Sequence, residues 1–341
     1  MKKKLSFFCL LIMIGCKQGK KAPDVSNILV TVHVERFDQA FFAIDTNQVQ
    51  QGLFNLATRY PYFINDFAVN ILGTPPLSDT SAQAFFACRR FISSYMPVKD
   101  SLDLKFAPAG SGMRQIEDGL RKGFQYTLYY FPQYKLPPKV IAYIGPFDAP
   151  GVAITRFTLA IGLQLYAGKS FPFYLSQQGQ DLFPLYISRR FEPLYVVPNC
   201  MKAIAEDIFP DQSPGKNLIE QMIEKGKNWW LIDQLLPETA DSLKTGFTQK
   251  QLNWCVSNEG QIWNYFLEQN LFSPEPDLIK NYIGDGPYTQ GMPEASPGNI
   301  GQWVGWRIVQ RWASQHADIS PEQLMKTPAK TIFEEAKYKP K

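Results

Sequence analysis

Histidine is nearly missing: His33 and His316 are the two present in 341 residues. With no pair of histidines four apart, a H-E-x-x-H zinc helix is excluded. The chain also lacks a G-x-S-x-G elbow, a G-x-G-x-x-G turn and a P-loop, so the common signatures of serine hydrolases and nucleotide binders are missing. The run Asp211 to Glu220 has its glycine at the fifth place, and Met222 stands at the twelfth, which excludes an EF-hand. Charge is scarce as well, at 19% of residues against 45% hydrophobic. That balance excludes a disordered chain. Lys2, Lys3 and Lys4 supply three of the four net positive charges, leaving 32 cations against 31 acids. So neutral a body has no field for a phosphate backbone, and nucleic acid is excluded as a partner.

What is present begins at the N-terminus. Lys2 to Lys4 precede the apolar stretch Leu5 to Ile14, too short for a hydrocarbon core that needs about 20 residues, and this order reads as a signal peptide over 1–15. It ends in Met13-Ile14-Gly15-Cys16, which resembles the bacterial lipobox, with Met13 in place of the usual leucine. That resemblance implies cleavage after Gly15, a diacylglycerol on the Cys16 thiol and a fatty acid such as palmitate on the new amine. Two or more acyl chains suffice for stable anchoring. Residues 16–27 then read as a polar stalk, and no acidic run follows Cys16, which favours the periplasmic face of the outer membrane. The remaining cysteines, Cys88, Cys200 and Cys255, sit among apolar neighbours and read as packed thiols.

Residues 28–341 carry no linker and read as one globular domain of α+β class, mainly helical, with a small antiparallel sheet. Alternation places a strand at 28–36, with Val30, Val32 and Val34 inward, and further strands at 139–144 and 152–166. Helical spacing covers 38–57, 62–72, 80–95 and 112–131, and the chain is largely helical after Gly168. In 217–236, Ile219, Met222, Ile223, Gly226, Trp230 and Asp233 form one stripe. In 248–269 the stripe is Leu252, Cys255, Val256, Glu259, Ile262, Trp263 and Phe266. In 299–315, Gly301, Gly305, Ile308 and Trp312 share a face opposite Arg307, Gln310, Arg311 and Ser314, and the two glycines four apart permit a second backbone to approach closely. Asp233 and Glu259 are therefore carboxylates on core stripes. Each needs a partner, in a structural network or a polar pocket, and Lys227, Arg189 and Arg190 are available cations.

Several segments in order resemble the GldB family of gliding-motility lipoproteins from Bacteroidetes. They are Ile161-Gly162-Leu163 with Tyr166-Ala167-Gly168, Ile223 to Lys227 (IEKGK), Asp233 to Pro237 (DQLLP) and Gln251 to Trp263. Gly286-Pro287-Tyr288-Thr289, Ser296-Pro297-Gly298, Gly301 to Val309 and the closing Tyr338 to Lys341 follow. The resemblance implies a lipid-anchored, periplasm-facing envelope component required for gliding, acting with other gliding or secretion proteins and needing no cofactor. The helical half is also similar to a family of predicted zinc-dependent proteases. That similarity implies a zincin-like body in which Val197 to Phe209 stands where the metal-binding helix would be and carries no histidine, with Gly226, Lys227 and Asp233 near the place of a lost acidic ligand. Fold would then transfer without activity. The alternative is an envelope hydrolase acting on glycan or peptidoglycan through Asp233 and Glu259.

Overall fold

A computed structural model describes residues 22–77, 82–106 and 112–341. The signal segment and Cys16 lie outside the described residues. The sheet has four strands in the order β1-β2-β4-β3, with β1 at Val34–Arg36, β2 at Lys139–Tyr143, β3 at Val152–Ile154 and β4 at Thr158–Gly162. β1 and β4 flank β2 in parallel, with Val34 opposite Val140 and Lys139 opposite Thr158, and only β3 runs antiparallel, with Val152 opposite Ile161. The sheet is therefore mixed, which corrects the antiparallel expectation. The physical reason is the connections: a long helical crossover separates β1 from β2 and permits parallel pairing, while a tight reversal joins β3 to β4.

The expected strand at 152–166 is two strands and a turn. Thr155 N–H donates to Thr158 O at 2.8 Å and reverses the chain, and Leu163–Leu165 forms a short 3-10 turn after β4. Strand 28–36 is also shorter than expected. Val30, Val32 and Val34 do face inward while Leu29, Thr31 and His33 are exposed, but only Val34–Arg36 reaches a partner. Alternation records which side is covered; pairing also requires a neighbour, and β2 offers five residues.

Helices fill most of the rest. The stretch 38–57 divides into Phe37–Phe42 and Val49–Arg59, and the stretch 62–72 into Ile64–Asp66 and a π-turn, Phe67–Ile71. The helix expected at 80–95 continues through Pro97 as Ala82–Phe106, and Gly112–Tyr130 matches its expected range closely. In the 248–269 segment, the Gln249–Ser257 helix begins with a Thr248–Gln251 capping box and stops at Asn258, so Glu259 opens the next helix, Glu259–Glu268. Within the first of these helices Val256 points outward, 60% exposed, against its expected place on the core stripe.

Buried side chains from Val25 to Ala336 form one connected cluster. Near the sheet it is built of phenylalanine: Phe37 meets the rings of Tyr60, Phe63 and Phe67 at 5.2, 4.9 and 4.8 Å, edge to face. Farther along the chain, helices Leu218–Leu235 and Ile300–Gln315 cross at glycine. A Cβ at Gly305 would overlap the carbonyl of Met222, and one at Gly226 would overlap the backbone of Gly305. A Cβ at Gly301 would lie 2.8 Å from the Tyr282 carbonyl. The two backbones thus touch, as the glycine spacing predicts. Among the described residues no helix is long and apolar enough to cross a membrane.

Candidate functional site

The crossing fixes where the singled-out residues go. Trp306 and Arg307 are successive residues of Ile300–Gln315, so their side chains leave the axis about 100° apart. Each takes one of the two carboxylates. Trp306 Nε1 donates to Asp233 Oδ2 at 2.8 Å, and Lys244 Nζ reaches Asp233 Oδ1 at 2.5 Å. Lys244 comes from the short Asp241–Thr245 helix and also holds Asp241 at 2.8 Å. Burial raises the Asp233 carboxyl above its ordinary range despite the opposing effects of Lys244 and Trp306.

Arg307 grips Glu259 with both arms of its fork, at 2.8 Å to Oε1 and 3.2 Å to Oε2, while Tyr338 donates to Oε1 at 2.6 Å. Burial, and then the carboxylate it serves, push the Tyr338 hydroxyl far above its usual range. Both acids expected on core stripes are thus saturated by partners that come from elsewhere in the chain.

The cations proposed for them are engaged elsewhere. Lys227 is buried, pairs with Glu224 at 2.7 Å and donates to the carbonyls of Met325 and Thr327 at 3.0 and 3.1 Å. Burial lowers its ammonium below the ordinary value, with Glu224 opposing. Arg189 donates to Gly246 O at 2.8 Å, and Arg190 pairs with Asp285 at 3.1 Å. None of these three available cations pairs with Asp233 or Glu259. Arg307 lies on the polar face of its helix, opposite the two glycines; Lys244, Trp306 and Tyr338 carry no local pattern that marks them as partners.

Arg190 leads instead to a cavity of about 360 Å³ between helices Val196–Ile208 and Leu218–Leu235. Its charged lining is Arg190, Lys202, Lys225, Glu206 and Asp285. Asn299, in the left-handed conformation at φ 47°, caps one wall and donates to Asp285 at 3.2 Å, which in turn holds Arg190. The loops behind that wall are locked together: Thr289 Oγ1 donates to Pro297 O at 2.7 Å, and Gly298 lies against Gly286 so closely that a Cβ would overlap its backbone. The G-P-Y-T and S-P-G segments stand next in sequence to Asp285 and Asn299, which line the rim of this cavity.

Within it, Lys225 pairs with Asp211 at 2.5 Å and Glu206 accepts the Asp211 N–H at 2.8 Å. Lys202 differs from its neighbours, because no described residue forms a hydrogen bond or ion pair with its ammonium. Burial and then the nearby Arg190 bring it down to about 8, with Asp285 opposing. Sequence reasoning missed Lys202, which looks like one polar residue on an amphipathic helix.

Among the described residues no group of three His, Cys, Asp or Glu is placed to hold a metal ion. His33 is exposed and meets Glu117 at 3.1 Å, and His316 stacks on Trp312 with centroids 4.1 Å apart. Cys88, Cys200 and Cys255 are buried free thiols, and burial pushes Cys88 up to about 11 and Cys255 up to about 12.

No curated protein and no solved structure matches the chain. A family model described as "Gliding motility protein GldB" matches residues 18–340. The ordered segments that frame the glycine crossing and the cavity rim lie within that match, and the chain belongs to the GldB family of gliding motility lipoproteins.

Proposed function

We propose that this member of the GldB family is a non-catalytic envelope component, anchored by acyl chains on Cys16 to the periplasmic face of the outer membrane, whose globular body binds other proteins of the gliding or secretion machinery. The observation that carries the non-catalytic reading is the occupancy of the two candidate acids. Asp233 is held by Lys244 and Trp306, and Glu259 by Arg307 and Tyr338. A general acid or nucleophile needs a face open to substrate. These carboxylates spend their oxygens on protein donors, so the geometry supports structural pairs over glycan hydrolysis.

The zincin-like reading of the body rests on resemblance. It gains support from the cavity lying beside Val196–Ile208, the helix that would carry the metal pair, where Lys202 supplies a positive charge from a side chain. An ammonium in that place repels a divalent cation.

The test is made on full-length protein extracted from membranes. Mass spectrometry of its first peptide is expected to show an acylated Cys16, and metal analysis no stoichiometric zinc. Co-purification after mild crosslinking is expected to retrieve other envelope proteins. An unmodified, freely secreted chain would overturn the anchor. Turnover of peptide or cell-wall fragments that is lost on Asp233→Asn or Glu259→Gln would overturn the non-catalytic assignment.

A further inference from the structure

The cavity beside Lys202 has a charge pattern that the structural networks lack. Its lining carries three cations and two carboxylates, and Asp211, paired to Lys225, brings the charges level. Arg190 is answered by Asp285 and Lys225 by Asp211, whereas the Lys202 ammonium has no ion pair among the described residues. That ammonium is not sealed from solvent, since Tyr60 Oη is the one unpartnered side-chain polar atom fully buried among the described residues. An uncompensated cation in a concave, partly desolvated place attracts an anion more strongly than one on an open surface. One unpaired ammonium suits a monoanion, and Glu206 and Asp285 would repel a doubly charged phosphate.

The neutral lining narrows the ligand further. Asn299 and Gln302 both spend their amide nitrogens within the protein, on Asp285 at 3.2 Å and on the Ile283 carbonyl at 2.6 Å. Their amide oxygens have no described partner and remain as acceptors. Trp229 and Ile232 add an apolar wall. The site thus offers a cationic donor for one negative group, acceptors for N–H groups beside it, and room for a small body, within the size range of ordinary ligand pockets.

We propose that this cavity binds the carboxylate end of a peptide, with the Lys202 ammonium as counter-ion and the amide oxygens of Asn299 and Gln302 accepting the adjacent peptide N–H groups. The reading is independent of the anchored, non-catalytic assignment, because neither Cys16 nor the two structural carboxylates takes part in it. Its failure would leave that assignment standing.

Calorimetric titration of the full chain in detergent, with N-acetyl-dialanine as the probe, tests the site. Controls are the C-terminal amide of the same peptide, acetate and inorganic phosphate. The acid is expected to bind, and the amide and acetate to bind at least about tenfold more weakly. Lys202→Met is expected to abolish binding and Lys202→Arg to retain it in part. As a readout free of any variant, affinity should fall as pH rises through about 8, where Lys202 loses its proton. Arg190, Lys225, Glu206 and Asp285 face the same site, Arg190 paired with Asp285 and Lys225 with Asp211.

Binding of the amide as tight as that of the acid would overturn the carboxylate assignment. Acetate equal to the dipeptide would overturn the peptide assignment, and phosphate exceeding both would overturn the monoanion. Absence of binding up to about 10 mM probe, only some 2.7 kcal/mol at that dissociation constant, would overturn the site altogether.

Discussion

One helix, Leu218–Leu235, shows two contrasting sides. Met222 and Gly226 press against Gly305 with no side chain between the backbones, whereas Lys225, Asn228, Trp229 and Ile232 line the cavity. On the closed side every polar group nearby is answered, as with Asp233 between Lys244 and Trp306. On the open side Lys202, across the cavity, is unanswered. A protein shaped only for stability would fill the cavity or pair the cation. The contrast separates the part of the molecule that holds the fold from the part that has room for something else.

The largest expected effect breaks the closed side. Gly305→Ala sets a methyl against the Met222 carbonyl, and the helices must part to admit it. Overpacking of a close contact costs about 3 kcal/mol when the obstacle is backbone, and urea denaturation should show a lower midpoint with unchanged slope. Asn228→Ala on the open side of the partner helix should move the same midpoint by no more than about 0.5 kcal/mol. Equal losses at the two positions would erase the distinction.

A comparable loss should follow from unpairing Asp233. Lys244→Met leaves a half-buried carboxylate facing Trp306 alone, and removal of one partner from such a pair costs about 3 kcal/mol. Adding Asp233→Leu removes the stranded charge and should restore most of the stability. The double-mutant cycle measures the coupling between them; additive single losses would show that the pair contributes nothing.

The open side should respond in the opposite direction. The Lys202 ammonium is lowered to about 8 from 10.5 by burial first and Arg190 second. The folded state therefore binds fewer protons than the unfolded chain between those two values, and stability contributed by this group rises with pH across that window. Below about 8 the native state carries the full cost of the desolvated charge. Lys202→Met should stabilise the protein at neutral pH, by on the order of 2 kcal/mol after allowance for the water that reaches the cavity, and the gain should vanish as pH rises toward 10.5. A gain independent of pH would mean that packing, not charge, is responsible.

The closed side was largely legible in sequence, and the open side was not. Glycines four apart at 301 and 305 announce a close approach, because nothing else in that helix requires them. Stripes of Ile219, Met222 and Ile223 likewise give the buried side of their helix directly. The partners of Asp233 and Glu259 are not legible in sequence because pairing depends on three-dimensional proximity: Arg307 lies 48 residues from Glu259, and Trp306 lies 73 from Asp233. The sheet was misread for a similar reason. Alternation in 28–36 reports inward and outward sides correctly but carries nothing about how many residues of a neighbouring strand are available. Lys202 escaped notice because a lysine on an amphipathic helix usually ends in water, and the cavity around it is completed by Asp285, Asn299 and Gln302, which are distant in sequence.

The smallest expected effect refines the closed side from its far edge. Tyr338 donates to Glu259 at 2.6 Å, and its ring meets Trp263 edge to face at 5.1 Å. Tyr338→Phe keeps the ring contact and deletes only the hydroxyl, while Arg307 continues to hold both carboxylate oxygens of Glu259. The loss should be about 1 kcal/mol, the net worth of one hydrogen bond, read as a small shift in the urea midpoint. Tyr338→Ala removes the ring as well and should cost about 3 kcal/mol. If the phenylalanine variant lost as much as the alanine variant, the hydroxyl would be carrying the contact and Arg307 would not be holding Glu259 by itself. A redundant grip of this kind is what separates the two sides: where several donors share one acceptor, any single deletion is mild, and where one cation stands alone, its deletion removes the whole site.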